Sequence, residues 1–392
     1  MNYYFRYFNQ YSKFFDEILS NNSHIYFNAS YLFNFKDTCY NLISKKNHFY
    51  FIDPETYKFI FGGDKPFYVT YIEYFKDIEG LFDDSKKIDL DLLRKSNIFN
   101  DFYKKIIRFQ KVVLTKTTIP LDYYISIIKK KATKQHFNPI EKLDFTISPY
   151  FQFSSIYDEN YQYTLKYSQV DNHNYTLLRF PKEILNDLKK IEVIYQDFSN
   201  NNGILLNIID LDQYNSEDLN LYFPNLIDLI HLFAINGQKV ILMNNSELGK
   251  YFKYFGLENV CSNVMIGQKT MPYNFTRVSL GGGNTNFVYI PQIERSVPFG
   301  KSNVLIKRNK KISKLFSKQV SELELIGRVK LYYDFIEKKI ININKMDFKP
   351  LCKEINKSYA EITYELHRDL YNYILKWNEL LKEKYIQYKL SE

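Results

Sequence analysis

At 392 residues the chain is long enough for one barrel-sized domain, about 250 residues, with an appendage. Its 45% hydrophobic and 18% aromatic content exclude a disordered chain, although the 36 Tyr and 33 Phe look like AT-rich coding bias and single aromatics carry little functional weight. The net charge of +9 is uneven: residues 301–392 hold 20 Lys and Arg against 12 Asp and Glu, which leaves 33 against 32 for residues 1–300.

In chain order, Tyr3–Leu19 has the spacing of an amphipathic helix, with Phe8, Tyr11, Phe15, Ile18 and Leu19 on one face. Short apolar runs ending in polar residues follow and predict strands at His24–Ser30, Phe49–Asp53, Val112–Thr117, Leu143–Ser148, Thr176–Phe180, Gly203–Asp210, Lys239–Asn244, Val260–Gly267 and Phe287–Pro291. Helical stretches lie between several of them, at Phe75–Lys111, Ile119–Thr133, Pro181–Tyr195, Ser216–Ile235 with a break near Pro224, and Glu247–Phe255. Ser246 is the expected N-cap of the last, and Gly256 its C-terminal stop. Tyr150–Asn174 is polar and aperiodic, so a long binding loop is expected there. Ser296–Lys301 is a linker, and Val320–Lys338 and Tyr359–Lys389 are Lys/Glu-laced amphipathic helices.

Strands alternating with helices give an α/β class with a parallel sheet buried on both faces. The pattern over about residues 24–292 resembles the TIM (β/α)8-barrel superfold. The expected organisation is a (β/α)8-like barrel over residues 1–300 and a basic helical C-terminal extension over residues 301–392.

In a barrel the chemistry sits where the strands end. Asp53, in Ile-Asp-Pro-Glu-Thr, is fixed at a strand exit by Pro54, and Asp210 ends the Gly203 strand in the same way. Converging, the two carboxylates supply a base or nucleophile and an acid; apart, each merely caps a turn. Asn28, Tyr150, Arg179, Asn244, Gln268, Gln292 and Arg295 stand at other strand ends as substrate-binding candidates, with Arg179 and Arg295 suited to an anionic group. Gly281, Gly282 and Gly283 form a candidate anion-binding loop, or else a plain turn, without the Walker lysine or GxGxxG spacing.

The six histidines show no HxH, HxxxH or HExxH spacing, and Cys39, Cys261 and Cys352 are far apart. No compact metal motif and no cofactor signature is therefore expected. The Met1–Arg6 start lacks a signal-peptide pattern and no apolar run approaches a membrane span, so the expected location is cytoplasmic, off the membrane.

Strand-end aspartates with a basic extension are similar to the tRNA-guanine transglycosylases, a resemblance that implies an aspartate nucleophile acting on a nucleic-acid base. The chain lacks that family's zinc-binding cysteine cluster and its Asp-Ser-Gly-Gly motif. Two functions are expected as alternatives. One is a barrel enzyme acting on an anionic, nucleotide or nucleic-acid-related substrate through carboxylate chemistry. The other is a non-catalytic barrel whose basic tail binds nucleic acid or a protein partner.

Overall fold

The computed structural model describes residues 1–7, 19, 23–46, 48–64, 66–114, 143–262, 287–298, 325–363 and 372–391. Its centre is a curled, all-parallel sheet of seven strands: β1 (Asn2–Arg6), β2 (His24–Asn28), β3 (Phe49–Asp53), β4 (Tyr175–Pro181), β5 (Gly203–Ile209), β6 (Lys239–Met243) and β7 (Leu257–Ser262). Their order is β3-β2-β1-β7-β6-β5-β4. Strands are therefore neighbours in sequence order, with β1 closing onto β7, and the connections carry the helices that parallel pairing requires.

The helices are α1 (Ala29–Lys46), α2 (Pro66–Glu73), α3 (Ser96–Val112), α4 (Glu159–Ser168), α5 (Leu188–Phe198), α6 (Ser216–Leu221) and α7 (Phe223–Ile235). Asp187 caps α5 and Asn215 caps α6, each accepting backbone N–H groups at the first turn. Gly256, at φ 95°, sits left-handed after the short helical turns that lead into β7.

The sheet has two apolar faces. The outer one merges with the helices into the large core. The inner one is a smaller cluster holding Tyr4, Tyr26, Phe51, Leu177, Leu205, Ile241 and Cys261, so every strand sends a side chain to the same interior. Alternation places Arg6, Asn28, Asp53, Arg179 and Asn207 one step further along, at the C-terminal mouth of that interior. At the opposite end Gly203 leaves room for Tyr175, whose ring atoms lie 2.3 Å from where a Cβ would stand.

Closure by eight regular strands is not what the sheet shows. Between its edges β3 and β4 runs the segment 143–152, held by isolated parallel bridges: Leu143 to Tyr50 on β3, and Ile147 to Tyr175 and Gln152 to Arg179 on β4. Ile147 and Tyr150 of this segment belong to the inner cluster.

Four expectations are corrected. Residues 2–6 form an interior strand between β2 and β7 rather than the start of a helix, because a strand buried on both faces shows an unbroken run, Tyr3-Tyr4-Phe5, that does not alternate. Val112 ends α3 instead of opening a strand; residues 115–117 lie outside the described residues, as does the expected helix Ile119–Thr133. Phe287–Ile290 (β8) pairs antiparallel with Arg295–Pro298 (β9) in a separate hairpin, so it is neither a barrel strand nor followed by a linker at Ser296. Tyr150–Asn174 contains α4, whose Tyr161, Tyr163 and Tyr167 are buried.

The C-terminal region comprises α8 (Leu325–Lys345), α9 (Phe348–Thr363) and α10 (Asn372–Ser391). These helices pack on the sheet's outer layer. Trp377 is fully buried and its indole N–H donates to the Gln213 carbonyl at 2.6 Å, while Lys384 pairs with Asp228 at 2.6 Å. Among the described residues no helix is long and apolar enough to cross a membrane.

Candidate functional site at the C-terminal mouth

The site grows out of the turn after β3. Pro54 follows Asp53, and Glu55 then adopts left-handed backbone at φ 50°, donating its N–H to Asp53 Oδ1 at 2.9 Å. A non-glycine residue at positive φ is costly unless its surroundings hold it there. Here they do. Asn28 Nδ2 and the Ser30 hydroxyl both donate to the Glu55 carboxylate, the Ser30 amide donates to it at 3.0 Å, and Lys58 pairs with it at 2.5 Å. Asn28 and Asp53 are register partners on neighbouring strands, so pairing of β2 with β3 brings the two together.

Asp53 is only 4% exposed and Glu55 not at all. Asp53 accepts the Tyr150 hydroxyl at 2.6 Å. Burial, reinforced by the Glu55 charge, pushes the Asp53 carboxyl up to about 6. Burial acts on Glu55 in the same sense, but the Lys58 ammonium and its other donors outweigh it and hold that carboxyl below its ordinary value. Two adjacent carboxylates are thus driven in opposite directions.

Cations surround them. Arg6, from the end of β1, donates from Nε to Asn28 Oδ1 at 3.1 Å and is partly exposed. Arg179, on β4, donates from Nε to Gln152 Oε1 at 3.0 Å, and its guanidinium lies 4.3 Å from the centre of the Tyr57 ring. Tyr57 in turn stacks near Tyr150, ring centres 5.8 Å apart. Left-handed non-glycine residues recur at the strand exits: Asp210 after β5, and Asn244 and Asn245 after β6.

Of the sequence candidates, Asn28, Asp53, Tyr150 and Arg179 come together here. Asp210 stands half-buried one residue beyond β5 at φ 60°; the carboxylate beside Asp53 is Glu55. Asn244 is buried after β6 and donates its backbone N–H to the Cys261 carbonyl at 2.8 Å. Arg295 opens β9 of the hairpin, its guanidinium 4.4 Å from the centre of the Tyr214 ring. Gln292 falls in the short helical turn between β8 and β9. Gln268, Gly281, Gly282 and Gly283 lie outside the described residues.

Sequence reasoning missed Arg6, Glu55 and Lys58. The signals were present: Arg6 ends an aromatic run as Asp53 does, and Glu55 and Lys58 are spaced i, i+3 after a strand exit.

A second buried ionic cluster ties the C-terminal helices down. Lys250, fully buried, bridges Glu247 and Glu294 at 2.7 Å each, and Lys339 of α8 reaches Glu294 at 3.4 Å and Glu354 of α9 at 2.6 Å. The hydroxyls of Tyr251 and Tyr289 donate to Glu294 at 2.6 Å and to Glu247 at 2.9 Å. Every carboxylate is matched, which is what burial of such charges demands.

Comparisons of the chain with protein-family models, with curated proteins and with solved structures returned no match.

Proposed function

We propose that the chain is a barrel-type enzyme acting on an anionic substrate, with its site at the C-terminal mouth of the curled sheet. In this reading the segment 143–152 serves as an irregular eighth stave between β3 and β4, which places Tyr150 and Gln152 at the mouth with the other strand ends. The observation that carries the reading is the buried Asp53–Glu55 pair, whose environments drive the two carboxyls apart. Divergent neighbouring carboxyls mark acid and base assignments. Asp53, close to neutrality, is the group that takes up and returns a proton; Glu55, ionised beside Lys58, fixes the turn and the local field. Arg179 and Arg6 bind the anionic group of a nucleotide-like substrate, and Tyr150 orients the Asp53 carboxylate. The strained backbone at Glu55 supports the same reading, since such strain collects at functional sites.

The depth of burial favours a second reading, in which the charges are a structural plug and the protein is a binding scaffold. One experiment separates them. Wild type, Asp53→Asn and Arg179→Gln are screened by thermal shift against phosphorylated and nucleoside compounds, and any hit is assayed for turnover. The enzyme reading expects a ligand that stabilises wild type and Asp53→Asn alike, loses affinity by tenfold or more, about 1.4 kcal/mol, with Arg179→Gln, and turns over only with wild type. No stabilising ligand together with a large loss of stability in Asp53→Asn would leave the plug.

A further inference from the structure

We propose that the groove between α9 and α10 is a docking site for an acidic amphipathic helix of a partner protein. The groove encloses about 520 Å³. Its floor is apolar: Phe348 and Cys352 from α9, and Tyr385, Ile386 and Leu390 from α10. Phe348 and Tyr385 stack face to face with ring centres 3.9 Å apart, which sets a flat, stiff base. Ile386 is 58% exposed and Leu390 82%, an exposure that a helix otherwise anchored by Trp377 and Leu381 does not need for folding. The lining residues of α10 fall at i, i+3, i+4, i+7 and i+8, so the helix presents one continuous stripe to the groove and another to the body of the protein.

The rim fixes the partner's chemistry. Lys349, Lys353, Lys382 and Lys389 stand around the groove, all exposed, and among the described residues no Asp or Glu lines it. The nearby Glu354 is held by Lys339 at 2.6 Å. An apolar floor between two helices accepts a third helix through anchors at i, i+3, i+4 and i+7, and four ammonium groups call for carboxylates flanking those anchors. The preceding stretch of this chain, residues 301–324, carries 7 Lys and Arg against 2 Glu, so charge opposes its use as the occupant. A flat anionic membrane matches the charge but not the concavity. The proposal is independent of the catalytic reading.

The test is selection of random 16-residue peptides displayed against the full chain, with the Ile386→Glu/Leu390→Glu variant in solution as competitor. The expected winners are net acidic with apolar residues at i, i+3, i+4 and i+7. A synthetic winner, followed by fluorescence anisotropy, is expected to bind at least about tenfold more weakly to that variant and to Lys353→Glu/Lys389→Glu, and to weaken with salt. Both pairs are exposed, and an unchanged melting temperature shows that the fold is retained. Winners that are basic or neutral, or that bind wild type and variants equally, overturn the proposal. So does groove-dependent pelleting with phosphatidylglycerol vesicles, which would assign the face to membranes. A wild-type dimer that the variant lacks, seen by sedimentation, would assign it to a second copy and overturn it equally.

Discussion

Asp53 shows how far a single residue can be read. Its position after an apolar run and before Pro54 marks a carboxylate at a strand exit from sequence alone. What the sequence does not contain is its neighbourhood: the Tyr150 hydroxyl arrives from 97 residues away, and the Glu55 carboxylate is turned beside it by a left-handed residue held from β2. The raised Asp53 carboxyl has a stability consequence of definite sign. Folded Asp53, at about 6, holds its proton more tightly than the unfolded chain, at 3.8. That contribution is fully present below the unfolded value and is lost as pH rises through about 6. Asp53→Asn removes the titration and keeps an oxygen for Tyr150. The melting temperature of the variant relative to wild type is therefore expected to climb between pH 4 and pH 7, as scanned by calorimetry. A difference independent of pH would mean that Asp53 binds its proton equally in the folded and unfolded chain.

At the scale of elements, packing overrode pattern in both directions. β1 was concealed because burial on both faces removes alternation, and the aromatics that follow it continued an apparent helical stripe. β8 had the composition of a barrel strand but pairs antiparallel with β9 as a hairpin. That hairpin is held through Glu294, which joins it to Lys250 before β7 and to Lys339 on α8. Lys250→Met would leave Glu247 and Glu294 buried without their shared cation. A loss of about 3–5 kcal/mol is expected, read as a lowered denaturant midpoint. A loss under about 1 kcal/mol would show that the carboxylates take up protons or find other partners instead.

Over the whole molecule, the basic C-terminal region is a structural layer as well as a charged one. Some of its lysines are paired internally, Lys339 with Glu354 and Lys384 with Asp228, and others line the α9–α10 groove. Trp377, Tyr373 and Leu381 are buried against the body of the protein, and the Tyr373 hydroxyl donates to the Ile293 carbonyl at 2.5 Å. Removal of residues 325–392 is therefore expected to abolish cooperative melting and to expose apolar surface to a dye such as ANS. A truncated chain that melts as sharply as the full chain would make the region a true appendage.

The sequence by itself determined the class of architecture, most strand positions and the strand-exit placement of Asn28, Asp53 and Arg179, because these depend on apolar runs and local turn chemistry. Only the tertiary structure decided that β1 lies inside the sheet between β2 and β7, that the segment 143–152 bridges two sheet edges, and that Glu55 stands beside Asp53. Those outcomes depend on which strands pair and in what register. Register is a contest between whole faces for burial, and no local stretch of sequence carries it.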